Sequence, residues 1–262
     1  DPAFGGWSGL EVSADGDSFT AISDRGWITE GRFRRGASGR LIAADAAARR
    51  RLDDTAAGFF GLAPHDAEGL AIAPAGRVFV AFEAVRRVLS YPNTSGRTPT
   101  VLPIYRDFIG LASNTSLEAL AIGPDGAHYT LPEAVGGGGP VPVYRFDGET
   151  WDVFARLPDR ADGFRPVGAD IGPDGRFYLL ERRFVEHVGF ASRVRRFALT
   201  EAGLSDEALL LTTRLGMHDN LEGLAVWRDR RDRIRLTMIS DDNLGRWQTT
   251  EFVEYLLPSE GR

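Results

Sequence analysis

An all-β fold, a single β-propeller of about five blades spanning residues 1–262, is what the sequence predicts, and three observations carry the expectation. A hairpin-like unit recurs along the whole chain, its copies opening at residues 8, 68, 118, 167 and 222. Each copy joins two short apolar runs through a turn, and each second run ends on an acid. The intervals of 60, 50, 49 and 55 residues between those openings suit a four-stranded blade with its loops. A sixth blade is also compatible with the count.

The first copy opens at Ser8-Gly9-Leu10, turns at Ala14-Asp15-Gly16 and runs to Asp24, with Trp27 to Arg34 as an outer strand. Residues 43–54 follow, rich in Ala and Arg, and that content predicts a short helical insertion. The second copy opens at Glu68-Gly69-Leu70, turns at Pro74-Ala75-Gly76 and delivers Glu83; Arg87 to Tyr91 and Thr100 to Tyr105 are its outer strands. The third runs from Glu118-Ala119-Leu120 through Pro124-Asp125-Gly126 to Glu133, with Val141 to Phe146 and Trp151 to Leu157 outside it. Between them, the glycine run at 136–139 is expected to be mobile, and it lacks the lysine and helix of a phosphate cradle. The fourth opens at Val167-Gly168-Ala169, turns at Pro173-Asp174-Gly175 and ends on Glu181, followed by Arg193 to Leu199 and Ala208 to Thr213. The fifth opens at Glu222-Gly223-Leu224, has a longer charged turn, Arg228 to Asp232, and ends on Asp241-Asp242. Only Glu251 to Leu257 remains, so the last blade is expected to be one strand short, its partner lying upstream of Asp1.

Composition narrows the chemistry. Apolar residues make up 43% and charged residues 26%, an ordinary globular balance, and no apolar run is long enough for a membrane span. The net charge of −6 gives no reason to expect a nucleic-acid partner. All 31 basic residues are Arg, which removes any P-loop or Schiff-base lysine, and the lack of Cys removes disulfides, zinc-thiolate sites and a thiol nucleophile. Because the chain begins at Asp1 and its only methionines are Met217 and Met238, processing or trimming is expected. Removal of an export signal, leaving a periplasmic or secreted monomer, is one reading of that start.

Strands of a hairpin are antiparallel, so both ends of each inner hairpin lie on one edge of the blade. Radial blades then collect Asp24, Glu68, Glu83, Glu118, Glu133, Glu181, Glu222, Asp241 and Asp242 around one mouth. Two carboxylates about 6 Å apart repel by roughly 3 kcal/mol at an effective dielectric near 20, so several together need compensation. Arginines such as Arg25, Arg86, Arg87, Arg182 and Arg183 are at hand to pair with single acids. Recurrence at equivalent positions instead points to a divalent cation, and an all-oxygen, flexible ligand set favours calcium. His65 and His218 precede Glu68 and Glu222 in similar settings and are candidate proton-transfer groups. Asp170 sits three residues inside its copy, on the opposite strand face, and ranks below the others. Ser8 lacks the second glycine of a nucleophile elbow, since position 10 is Leu.

The same residues carry a family resemblance. Phe4 to Leu10 with Ala21 to Gly26, Asp66 to Ala71, Leu179 to Phe184, and Asn220 to Ala225 with Ile239 to Asn243 resemble the phytase-like propeller family described as having esterase-like activity. The likeness runs from about Phe4 to Leu257. It implies an exported bacterial hydrolase of phosphoesters served by the recurrent acids, with an anionic or ester small molecule as substrate. Calcium would polarise the phosphoryl group at the mouth, His65 or His218 would assist proton transfer, and Arg25 and Arg182 would meet the anion. A metal-dependent lactonase or carboxylesterase, and a non-catalytic binding propeller, are the competing readings.

Overall fold

The computed structural model describes residues 5–54, 66–111, 115–136, 138–158 and 162–258. Five antiparallel sheets follow one another in chain order, each a blade. Blade one holds β1 (Trp7–Val12), β2 (Ser18–Ser23), β3 (Trp27–Arg35) and β4 (Leu41–Ala46), with the short β5 (Arg50–Arg51) also paired to β3. Blade two holds β6 (Ala67–Ile72), β7 (Val78–Phe82), β8 (Arg87–Tyr91) and β9 (Thr100–Val101). Blade three is β10 (Leu117–Ile122), β11 (His128–Pro132), β12 (Val141–Phe146) and β13 (Trp151–Leu157). Blade four is β14 (Arg165–Ile171), β15 (Phe177–Val185), β16 (Gly189–Thr200) and β17 (Gly203–Thr212). Blade five has three strands among the described residues, β18 (Asn220–Arg228), β19 (Ile234–Asp241) and β20 (Phe252–Leu256).

The expected helix over 43–54 is corrected: residues 41–46 form β4 on the edge of β3, with Gly31 opposite Ala46 and Arg35 opposite Leu41. Alanine's helical preference is a weak prior, and an open sheet edge offers these backbone groups ready partners. The one helix among the described residues lies elsewhere, α1 (Arg106–Ile109). Pro103 ends the expected strand over 100–105 early, and the turn of helix that follows drops Phe108 against Tyr144 and Trp151.

The innermost strands β1, β6, β10, β14 and β18 each touch the next around the ring, and β18 touches β1, which closes it. The core is accordingly divided. Five clusters of buried side chains each fill the wedge between two adjacent blades: Ile22, Leu70 and Val80 between blades one and two, for example, and Leu10, Phe19 and Ile239 between five and one. Every blade thus has two buried faces, which explains apolar inner strands such as Val78 to Phe82 that do not alternate. The tight turns at Gly16, Gly76, Gly126 and Gly175 lie at one end of the hairpins, and all the second-strand acids lie at the other.

Candidate functional site

One irregularity recurs in every blade. The pairing of the first strand with the second slips between Trp7 and Gly9, Ala67 and Gly69, Leu117 and Ala119, Pro166 and Gly168, and Leu221 and Gly223. The residue inside each slip is Ser8, Glu68, Glu118, Val167 or Glu222. A bulge leaves one residue without a cross-strand partner and re-aims its side chain. Here the five bulged residues line one axial space of about 10 Å³, at the limit of what a single water needs (~10–15 Å³). The axis is therefore constricted to about the size of one water where the five bulged residues meet.

The glycine after the bulge allows adjacent blades to close on one another. A Cβ on Gly69 would stand 2.7 Å from Leu120 Cβ, and one on Gly223 would stand 2.9 Å from Leu10 Cβ. Each Glu-Gly-Leu triplet thus divides three tasks: carboxylate to the axis, close approach to the next blade, and a core side chain.

Around the axis the carboxylates crowd. Asp66, Glu68 and Glu83 each offer an oxygen within 4.8 Å of the others. Burial, and then the charge of Glu222 with those of Asp66, Glu83 and Asp24, raises the Glu68 carboxyl well above the ordinary range. Glu118 is raised in the same way, first by burial and then by Glu68 and Glu83, and it donates a hydrogen bond to Glu83. Glu83 is further fixed by the Ser116 N–H at 3.0 Å, and its own N–H donates to the Asp66 carbonyl at 2.8 Å. Burial pushes Glu222 up to about 8 even though Arg182 donates to it at 2.7 Å and Asn220 at 2.9 Å. Asp241 is pushed up to about 6, by burial first, with the Asn243 N–H opposing and Asp24 and Asp242 adding to the rise.

Asp24 brings blade one into the group. Its carboxyl is raised by burial and by Asp66 and Asp242, and its Oδ1 is buried without a hydrogen-bond partner. Orphaned carboxylate oxygen is costly unless something positive meets it. Calcium takes oxygen ligands at about 2.3–2.6 Å, so donors on one ion lie up to roughly 5 Å apart. The spacing of Asp66, Glu68 and Glu83 fits that requirement, and the orphaned oxygen of Asp24 marks a further carboxylate in need of a positive partner.

Asp66 was not among the residues expected from sequence. It adopts φ +76°, a conformation Asp tolerates better than most side chains, and is held there by donating its N–H to the Asp24 carbonyl at 2.5 Å. The sequence signal is slight: it lies two residues before the bulged Glu68, where blades one, three and five carry Gly6, Ser116 and Asn220 and blade four carries Arg165.

The other expected residues separate. Arg182 spans the ring, donating to Glu222, to Asn220 at 2.6 Å and to Glu133 at 3.1 Å. Arg25 is exposed beside Asp24 and contributes to its charge balance. Glu181 does not join the acids, because Arg193 and Arg195 each donate to both of its oxygens at 2.6–3.0 Å. Asp242 is occupied with the seam between blades five and one, accepting from Gly6 N–H and Leu244 N–H at 3.0 Å and from Thr250. His218 Nε2 lies 2.8 Å from the Tyr255 hydroxyl and Nδ1 lies 3.6 Å from Glu251. His65 lies outside the described residues. Asp170 sits toward the turn end with Glu11: it accepts from Ile171 and Val226 N–H groups at 2.7 and 2.6 Å, and burial pushes it up to about 7.

The chain matches the family described as "Phytase-like: Esterase-like activity of phytase" over residues 2–244. No curated protein matches it. Among solved structures, a protein of unknown function from Dyadobacter fermentans DSM 18053 aligns with TM-score 0.50 and 12% identity, over 95% of this chain and 74% of that one. A virginiamycin B lyase from Staphylococcus aureus aligns with TM-score 0.45 and 13% identity, over 97% and 71%. At such identity the first likeness is one of fold.

Proposed function

The chain belongs to the phytase-like family, and from that premise we propose that it hydrolyses phosphoesters at the acid-lined mouth with a divalent cation, calcium by preference. The observation that carries this reading is the convergence of Asp66, Glu68 and Glu83 within 4.8 Å beside the orphaned oxygen of Asp24. Asp66, Glu68 and Glu83 would hold the ion, with Asp24, Glu118, Glu222 and Asp241 completing its field. A bound cation would supply the charge that polarises a phosphoryl oxygen and acidifies a water.

The chain's own residues divide the remaining work. Glu118, raised by burial and by its neighbouring acids and hydrogen-bonded to Glu83, is the group suited to take a proton from a water and return it. Arg182, already held by Glu133 and Glu222, turns a fixed guanidinium toward the site and is suited to an anionic oxygen. Arg25 at the exposed rim adds a second cation for an incoming anion. An all-oxygen site of this kind suits a location outside the cytoplasm, where weak calcium sites are filled.

The test is a parallel assay of phosphomonoester, phosphodiester, carboxylester and lactone substrates on calcium-loaded and chelated protein. Phosphoester turnover lost on chelation and restored by calcium is the expected result. Turnover indifferent to chelator, or confined to the lactone, overturns the proposal.

A further inference from the structure

Beside the mouth, between blades three and four, lies a cavity of about 640 Å³, within the ~300–1,000 Å³ range of small-molecule sites. Its floor is apolar, with Val141 and Leu157 from blade three and Phe164 from the loop entering blade four. Glu133 forms the wall it shares with the acid ring, because the same carboxylate accepts from Arg182, whose other nitrogen reaches Glu222.

The charge of this cavity is balanced where that of the ring is acidic, with Glu133 and Glu181 set against Arg165 and Arg195 in its lining. Blade four has Val167 where blades two, three and five place a bulged Glu, and its second-strand acid, Glu181, is neutralised by two arginines. Glu133 is matched by Arg182. What is left over is Arg165, which lines the cavity, is exposed, and has no hydrogen-bond or ion-pair partner for its side chain among the described residues. Like Asp66 in blade two, it lies two residues before the bulged position of its blade, and it pairs across the hairpin with Arg182. The mouth therefore has an acidic arc and, across the Arg182–Glu133 pair, a cavity with one unmatched guanidinium over an apolar floor.

Resting on the hydrolase reading, we propose that this cavity receives the substrate's leaving group, a bulky aryl or alkyl alcohol bearing a second anionic group, which Arg165 binds. The scissile group would lie on the acid ring and the body of the alcohol over Val141, Leu157 and Phe164. This sets substrate choice by size and by a second charge, since neither a small alcohol nor a neutral one would engage both the apolar wall and Arg165.

Binding can be tested without turnover, by calorimetric titration of calcium-loaded protein with methylphosphonate, phenylphosphonate and 4-carboxyphenylphosphonate. Affinity should rise in that order, and Arg165→Gln should weaken only the carboxylated ligand, by about tenfold for one charge-assisted pair, to the level of phenylphosphonate. Leu157→Trp, which fills the floor, should abolish the advantage of both aryl ligands and leave methylphosphonate unchanged. Because Arg165 is exposed and has no side-chain partner among the described residues, its replacement should leave the unfolding midpoint where it was. Equal affinity for the three ligands, or equal loss for all three in Arg165→Gln, overturns the proposal. If no phosphonate binds, the hydrolase reading is what has failed, and benzoate then tests the cavity alone: binding weakened by both variants supports it, and absence of binding overturns it.

Discussion

At the level of single residues, the nine acids anticipated at the mouth have separate fates. Glu68 and Glu118 are raised by burial and by the acids around them, so replacing either by Gln removes repulsion while deleting a donor. Glu68→Gln should lower phosphoester turnover by about a hundredfold or more, if the residue holds the cation, yet raise the unfolding midpoint of the metal-free protein. Paired kinetics and calorimetry on the one variant check both directions. Glu181 is the opposite case, since its two oxygens satisfy Arg193 and Arg195, both nearly buried. Glu181→Gln leaves Arg193 with Asp162 and Arg195 with Glu207 as their remaining carboxylates and should cost about 1.5–3 kcal/mol in chemical denaturation. Glu68 and Glu181 were both readable as strand-end acids, but a strand-end acid reads the same whether it faces an arginine or another acid. That distinction rests on contacts 12 to 14 residues away for Glu181 and on other blades for Glu68.

At the level of the element, the inner hairpin was legible almost to the residue. The Gly-containing turns, the β-branched second strands and the acid after each are local chemistry, so β6 and β7 fall where residues 68–83 placed them. The bulge was not legible. Simple alternation would send Glu68 and Leu70 to one face, whereas the slip between Ala67 and Gly69 points the carboxylate to the axis and Leu70 into the inter-blade core. The glycine after it is equally a matter of neighbours. Gly69→Ala should destabilise the protein by about 1–3 kcal/mol, because the added Cβ meets Leu120 Cβ at 2.7 Å and its backbone nitrogen at 2.8 Å. Gly76→Ala, with nothing within 4 Å but φ +82°, should cost through backbone strain alone, about 1 kcal/mol. Denaturant titration of the two variants checks the order: Gly69→Ala, which meets neighbouring atoms as well as changing the backbone, should lose more stability than Gly76→Ala.

The whole molecule couples the site to stability. In the metal-free protein Glu68 and Glu118 are raised, Glu222 lies at about 8 and Asp241 at about 6, all above the values they have in the unfolded chain. The folded state then binds more protons than the unfolded one between about pH 4 and 8, so stability falls as pH rises through that window. The unfolding midpoint of chelated protein should be lower at pH 8 than at pH 5.5. Calcium should remove most of that difference, since it binds the ionised ring and so favours the folded state at high pH. A midpoint that rises with pH in the chelated protein would contradict the clustering of these acids. By itself the sequence determined the repeat, the five inner hairpins and the edge on which their acids lie, because turn chemistry and strand patterning act over a few residues. Only the tertiary structure decided which acids meet, that residues 41–46 are strand, and that Arg165 faces a cavity. Those outcomes depend on a register slip of one residue and on the neighbouring blade, and neither leaves a mark within any one copy of the repeat.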